Sequence, residues 1–350
     1  FSDLYLLDSS DNFFANRINY TPGQKYSRSI VEAQEGHIAF SNSGILDTGS
    51  EIRGGVIIVN LNSGVIENIF NTENTQTLGG SNGIYNSEWF SNYMVVNQII
   101  SVDDKLYILN PQNELYGNTL SIYNMSSNLW EGINVGNNNL YFPQSLAIDN
   151  NNQIWVGFQS LETYIPAGLP YSEGGVRLVN ENNQFVEIDN DEILVGGEQS
   201  DIWSVDVCAY NEFEILWVLS SDGVQGYTIF QNRFSAISSM NLFSEISFNP
   251  GDKIKCDQNS NVWITTTHSG VRAILAKNNY TEFWPDYEGM TSSNSGLLSD
   301  VVYDVDFSST SGEVYFATDK GISVLESPFS DVVYKGRKKH KIYFDVNPFI

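Results

Sequence analysis

Ser145-Leu146-Ala147-Ile148-Asp149, the turn Asn150 to Gln153, then Ile154-Trp155-Val156-Gly157 decide the fold, because the same arrangement returns a hundred residues on. The second copy reads Lys253-Ile254-Lys255-Cys256-Asp257, the turn Gln258 to Asn261, then Val262-Trp263-Ile264-Thr265. In both, an apolar strand enters an Asn/Asp-rich turn and returns as a strand with Trp at its centre. Glycine followed by an apolar residue then opens a third strand, Gly175-Val176 in one copy and Gly270-Val271 in the other. Each residue type has a physical task. Asn and Asp bond nearby backbone and tolerate left-handed geometry. Trp supplies large apolar area between neighbouring sheets. Glycine permits a turn that a β-carbon obstructs.

Working outward, a third copy is Val302-Tyr303-Asp304-Val305-Asp306, Val314-Tyr315-Phe316 and Gly321-Ile322. A fourth is Ser204-Val205-Asp206-Val207-Cys208, Ile215-Leu216-Trp217-Val218 and Gly223-Val224. Two looser copies contain His37-Ile38-Ala39-Phe40 and Leu106-Tyr107-Ile108-Leu109. The second strands begin near Ile38, Leu106, Ile154, Leu216, Val262 and Val314. Copies spaced by roughly 45–70 residues are propeller blades with loop insertions. No segment shows a 3.6-residue apolar period. The expected fold is all-β: a six-bladed β-propeller of four-stranded antiparallel blades, almost without helix, seven blades being the alternative count. The propeller is expected over residues 1–334. Asp3 to Leu7 and Asn12 to Ala15 read as two strands that either close the ring or belong to a partial blade.

The chain has 350 residues, is 41% hydrophobic and 13% aromatic, and carries a formal net charge of −25. Such a surface repels phosphate backbones and anionic membranes, which disfavours nucleic acid and lipid as partners. No run approaches the roughly 18–20 apolar residues of a membrane span. Phe1 opens no signal peptide, so the chain reads as a mature protein or an excised piece of one. Cys208 and Cys256 are the two cysteines, which suits an exported protein that does not rely on disulfides. They fall at matching inner-strand positions of adjacent copies, too far apart to bridge, and two buried free thiols are expected.

Asn294-Ser295-Gly296-Leu297-Leu298-Ser299-Asp300, with the copy that follows, resembles the repeat of the two-component-regulator propeller family, related to streptogramin-lyase-like propellers. Leu298 stands where that family usually has Pro. The last copy is also similar to the propeller of PorZ-type surface proteins of the type IX secretion system. Asp345-Val346-Asn347-Pro348-Phe349-Ile350 is similar to the first strand of that system's C-terminal sorting domain, with Val346 breaking the match. The resemblance implies an exported, envelope-associated protein found at the cell surface, outside the cell or in the periplasm, with flanking domains in a larger protein. Residues 335–350 are then a basic linker, Lys335 to Lys341, and the start of a sorting domain cut short.

Loops joining second and third strands share one propeller face with the loops between blades, and insertions gather on that face: Ser41 to Arg53, Pro111 to Gly117, and Phe158 to Glu173. Trp89, Tyr141, Tyr164, Tyr171 and Trp284 are the candidate contact residues. Flat aromatic faces stack on sugars, and neighbouring amides bond hydroxyls. The competing reading is local core on the blade tops. Two prolines stiffen Tyr164 to Tyr171, as a rigid lid or an ordinary packed loop.

Catalytic signatures are scarce. The lyase relatives imply a histidine and glutamates beside a divalent metal. His268 lies on the right face, but no second histidine is placed to join it, and His37 begins a strand. No Gly-x-Ser-x-Gly elbow occurs. Asp149 to Gln153 and Asp257 to Asn261 lack the later Glu and the Gly of a calcium loop and are read as turns. Asp206, Asp304 and Asp306 face the channel, where carboxylates can hold a cation. The expected function is a non-catalytic propeller, without cofactor or metal, that binds a glycan, peptide or protein on its loop-rich face, as a surface protein of the type IX system. The alternatives are a glycan-recognising sensor ectodomain of a two-component regulator and a metal-dependent lyase or hydrolase.

Overall fold

A computed structural model describes residues 4–6, 16–18, 29–34, 37–41, 44–45, 55–60, 63, 65–71, 93–94, 96–110, 118–134, 142–160, 174–179, 185–186, 201–211, 213–230, 233–307, 313–326 and 329. The architecture is a six-bladed β-propeller. Among the described residues its only helical segment is one 3-10 turn, Lys277–Tyr280. The chain divides into two compact units, residues 1–146 with 158–187, and residues 147–157 with 188–350.

In the first unit, β1 (Leu4–Leu6) and β2 (Asn16–Ile18) pair with each other as a hairpin. The second strand therefore starts after Asn12–Ala15, which lies outside the described residues. The first blade contains β3 (Ile30–Gln34) and β4 (His37–Ser41). Its loop carries β5 (Gly44–Ile45), and β6 (Val56–Asn60) and β7 (Val65–Phe70) complete it in the order β3-β4-β6-β7. After β8 (Tyr93–Met94), the second blade is a meander of β9 (Gln98–Val102), β10 (Lys105–Leu109), β11 (Asn118–Asn124) and β12 (Leu129–Asn134). A third sheet orders β13 (Phe142–Ile148), β14 (Ile154–Gln159), β15 (Gly175–Val179) and β16 (Phe185–Val186) in the same way.

The second unit holds the fourth blade, β17 (Ile202–Tyr210), β18 (Phe213–Ser220), β19 (Gly223–Phe230) and β20 (Arg233–Leu242). The fifth is β21 (Lys253–Cys256), β22 (Val262–Thr265), β23 (Val271–Leu275) and β24 (Glu282–Trp284). Of the sixth, the described residues supply three strands, β25 (Val302–Phe307), β26 (Glu313–Thr318) and β27 (Gly321–Glu326). Residues 335–350, with the basic run and the sorting-domain resemblance, lie outside the described residues.

In the third, fourth and fifth blades the second strand is almost wholly buried, on both faces. Trp155, Trp217 and Trp263 have no exposed surface. Each such ring removes about 150–250 Å² from water, an upper bound of ~4–6 kcal/mol at ~25 cal/mol per Å². The turn before the strand is tied to the same ring. Asp149 accepts the N–H groups of Asn151 and Gln153 on Oδ1, at 2.9 Å each, and the Trp155 Nε1–H on Oδ2 at 3.0 Å. Asp257 repeats the arrangement with Asn259 at 2.8 Å, Asn261 at 2.9 Å and Trp263 Nε1 at 2.9 Å. One carboxylate thus shapes the hairpin and fixes the core ring six residues on. Both stretches are turns, as the missing calcium ligands implied.

Innermost strands are laced to their neighbours by side chains that replace a backbone ladder. In the first unit Ser29 Oγ accepts the Ile99 N–H (3.0 Å) and donates to the Ile99 carbonyl (3.3 Å). Ser204 does the same to Ile254 in the second unit, at 3.1 and 3.5 Å. Asp206 accepts the Cys256 N–H at 2.7 Å. Lys253 pairs with Asp304 at 2.9 Å and Lys255 with Asp306 at 2.8 Å. These lysines neutralise Asp304 and Asp306, two of the three carboxylates read as able to gather a channel cation.

Cys208 and Cys256 form a disulfide, with Cα atoms 5.7 Å apart, which corrects the expectation of two free thiols. Strand register supplies the reason. Trp217 lies opposite Asp206, and Trp263 opposite Lys255, so Asp206 and Lys255 are the equivalent positions. Cys208 then corresponds to Asp257, and Cys256 to Val207, one residue out of step. Because side chains alternate between faces, that offset aims the two thiols at each other across the gap between the fourth and fifth blades.

Candidate recognition face

In the first unit, β5 in the loop after β4 pairs with β8 in the connection between blades. The second unit shows the same convergence with side chains. The turn 266–270 meets the inter-blade loops on both sides: Thr267 donates N–H (2.7 Å) and Oγ1–H (3.0 Å) to Asp252 Oδ1, and Gly270 N–H donates to the Asp300 carbonyl at 2.9 Å. In each unit a loop that follows a second strand therefore meets a connection between blades.

Glycine makes the closest of these contacts. Gly270 has φ +76°, and a Cβ there would lie 2.0 Å from the Met290 carbonyl oxygen. That approach permits the reciprocal Val271 and Met290 backbone bonds, at 2.9 and 2.7 Å, which pin the loop after β24. The segment Asn294 to Asp300 is a packed loop. Asn294 donates Nδ2–H to the Gly289 carbonyl (3.0 Å), Leu297 enters the core, and Asp300 Oδ1 accepts the Ser292 N–H at 2.6 Å. Bonds to Ser292 hold the Asp300 carboxyl below its ordinary range.

The polar groups of this face are largely engaged in holding loops. Asp252 is fully buried and also accepts the Asn249 N–H at 2.8 Å. His268 is 41% exposed, with Nδ1 3.4 Å from Asn249 Nδ2 and 4.0 Å from Asp252 Oδ2. Among the described residues, no group of three His, Cys, Asp or Glu side chains is arranged to hold a metal ion. His37 stands in the other unit at the start of β4, 3.0 Å from Glu67. Asp206 is the strongly perturbed carboxyl: desolvation pushes it up to about 6, against the bonds from Cys256 and Val207 and the charge of Lys255.

Of the five sequence-predicted contact residues, Trp89, Tyr141, Tyr164 and Tyr171 lie outside the described residues. Trp284 ends β24, half-buried, with its ring 5.8 Å from Trp263 and 5.4 Å from Phe329, both edge-on. The open aromatic on the described loop face is instead Tyr287, 39% exposed and braced by Phe243 at 4.9 Å and Phe283 at 5.1 Å. Beside it stands Arg272, a cation inside the otherwise apolar strand Val-Arg-Ala-Ile-Leu. In the sequence, the charge interrupting that apolar run marks the position.

No protein-family model matches the chain, and no curated protein matches it. Solved structures do. PorZ, described as an essential bacterial surface component of the type IX secretion system of Porphyromonas gingivalis, aligns over 85% of this chain and 38% of its own, with 13% identity and TM-score 0.55. The extracellular domain of a one-component system from B. thetaiotaomicron aligns over 89% of this chain and 36% of its own, with 13% identity and TM-score 0.53. A luciferin-regenerating enzyme aligns over 84% of each chain, with 10% identity and TM-score 0.50. The chain thus spans little more than a third of the first two proteins, and what it shares with all three is the propeller fold.

Proposed function

We propose that the chain is a non-catalytic recognition propeller of an exported protein, taking a glycan, peptide or protein on its loop-rich face. The observation that carries this reading is the division of labour there: Asp252 and Asp300 are bonded to loop backbone, while Tyr287 opens to solvent on a braced aromatic base. Fold alone does not choose between binding and catalysis, and the luciferin-regenerating enzyme has this fold too. The disulfide supports an oxidising compartment, since such bonds are rare in reducing cytosol. The surface and extracellular descriptions of PorZ and the B. thetaiotaomicron domain agree with that compartment. A place in the type IX system is the finer assignment, resting on the Asn294–Asp300 and Asp345–Ile350 resemblances. The sensor ectodomain is the second reading, favoured by the extracellular one-component domain.

The test is binding to glycan and peptide arrays. Replacing Trp89, Tyr164 and Tyr171 together by Ala should weaken binding at least tenfold with an unchanged melting temperature. Intact binding refutes the assignment of these contacts. Turnover of a bound ligand that His268→Ala abolishes would replace recognition by the lyase or hydrolase reading.

A further inference from the structure

The fourth blade lacks a tie that both of its neighbours have. In the third and fifth blades the buried indole N–H meets a carboxylate, Trp155 on Asp149 and Trp263 on Asp257. By strand register the fourth blade has Cys208 at the position of Asp257, and Cys208 is in the disulfide. The hairpin there needs no carboxylate to shape it, because β17 and β18 stay paired as far as Tyr210 and Phe213. The ring still needs an acceptor. Trp217 has no exposed surface, and its Nε1–H is sealed from water with no acceptor in bonding geometry. Leaving a buried donor unmet costs more than an ordinary hydrogen bond contributes.

A second sealed group stands against it. Tyr280 belongs to the 3-10 turn between β23 and β24 of the fifth blade, is fully buried, and has an Oη without a partner in bonding geometry. The two rings lie 4.9 Å apart in a T shape, inside the apolar cluster that joins the fourth and fifth blades and includes Cys208. Burial raises the Tyr280 pKa, Tyr210 and Asp257 push the same way, and a hydrogen-bonding interaction with Trp217 opposes them. The indole N–H is therefore within reach of the hydroxyl, although the contact falls short of bonding geometry. The backbone that presents this ring is unusual. Asn279 and Tyr280 have φ +56° and +60°. Asn visits that region routinely, and here its Oδ1 accepts the Tyr210 hydroxyl. A bulky side chain there is an outlier that persists only where its surroundings impose it.

We propose that Tyr280 is a clasp between the fourth and fifth blades, its hydroxyl accepting the Trp217 Nε1–H in place of the carboxylate that the neighbouring blades supply. A phenol oxygen accepts well, whereas the sulfur of Cys208 is a weak acceptor. A ring that only filled space would be Phe, which packs the same volume and buries no oxygen. One position cannot hold both the carboxylate and the disulfide. The turn of the fifth blade therefore supplies the acceptor from outside, and the position is left to Cys208. Tyr280 is thus a positioning residue. It fixes the core ring of one blade from the outer turn of the next, as Asp149 and Asp257 fix theirs from within the same hairpin.

Tyr280→Phe keeps the ring and removes the oxygen. In nitrogen–proton correlation spectra of the oxidised full chain, the Trp217 Nε1–H signal, assigned by its loss in Trp217→Phe, should move upfield, while the Trp155 and Trp263 signals stay in place. The unfolding constant in urea should rise roughly tenfold, the contribution of one buried hydrogen bond. Cys208→Asp restores the carboxylate and provides the rescue. With Cys256→Ala as the shared background, Tyr280→Phe should again raise the unfolding constant roughly tenfold when combined with Cys208→Ala, but by about twofold or less when combined with Cys208→Asp. If Tyr280→Phe alone melts too early to measure, the Cys208→Asp combination decides, since the rescued chain should fold. An unmoved Trp217 signal, a Tyr280→Phe chain as stable as the wild type, or equal losses beside Cys208→Ala and Cys208→Asp overturns the clasp.

Discussion

Removing the Cys208–Cys256 bond tests both the fold register and the compartment. The cysteines are separated by 48 residues, enclosing most of the fourth blade and the start of the fifth. In the chain-entropy account, opening a loop of that length returns about 14 cal/mol/K to the unfolded chain, or ~4 kcal/mol at 25 °C. Native disulfides span about 2–5 kcal/mol, so the figure is at the upper end. Unfolding a chain of 350 residues releases on the order of 700 cal/mol/K near the midpoint, so the melting temperature should fall by about 5–6 °C if the chain melts as one. Calorimetric melts of the oxidised protein, the reduced protein and the Cys208→Ala/Cys256→Ala variant provide the comparison. The reduced protein and the double variant should melt together, below the oxidised form, and the double variant should ignore reductant. Two thiols titrating in the unfolded, unreduced chain, or coincident oxidised and reduced melts, would refute the one-residue offset between the inner strands.

Asp257→Ala removes an acceptor from the Asn259, Asn261 and Trp263 donors at once. Bonds to a charged group contribute ~1.5–3 kcal/mol each and the lost ring partner is fully buried, so a destabilisation of about 3–5 kcal/mol is expected in urea unfolding. Asp257→Asn should lose less, because an acceptor oxygen remains; equal losses would show that the carboxylate does not organise the turn. For Asp206, burial pushes the native carboxyl up to about 6 from an ordinary 3.8. The native state thus holds a proton that the unfolded chain has released between those values, and stability falls as pH rises through them. At ~1.4 kcal/mol per unit, the component is on the order of 2–3 kcal/mol. Urea midpoints from pH 3.5 to 7 should show it in the wild type and not in Asp206→Asn; parallel profiles would remove Asp206 as the source.

The scaffold was legible because it is written six times. A strand with a central Trp, a turn opened by Asp and a glycine before the next strand each recur, so Trp155 and Trp263 validate one another in the sequence alone. The second strands accordingly begin within three residues of the positions read from the pattern. The disulfide was not legible, because the repeat pattern sets Cys208 level with Cys256. The true register is fixed by pairing across each hairpin, with an irregularity between Ile202 and Ser204 that sequence does not announce. The face is harder for a deeper reason. Recognition requires something that the other blades lack, so its residues occur once and no second copy vouches for them. Arg272 illustrates this: the repeat asks only for a side chain that can hold a loop, which Gln225 and Ser323 provide without charge.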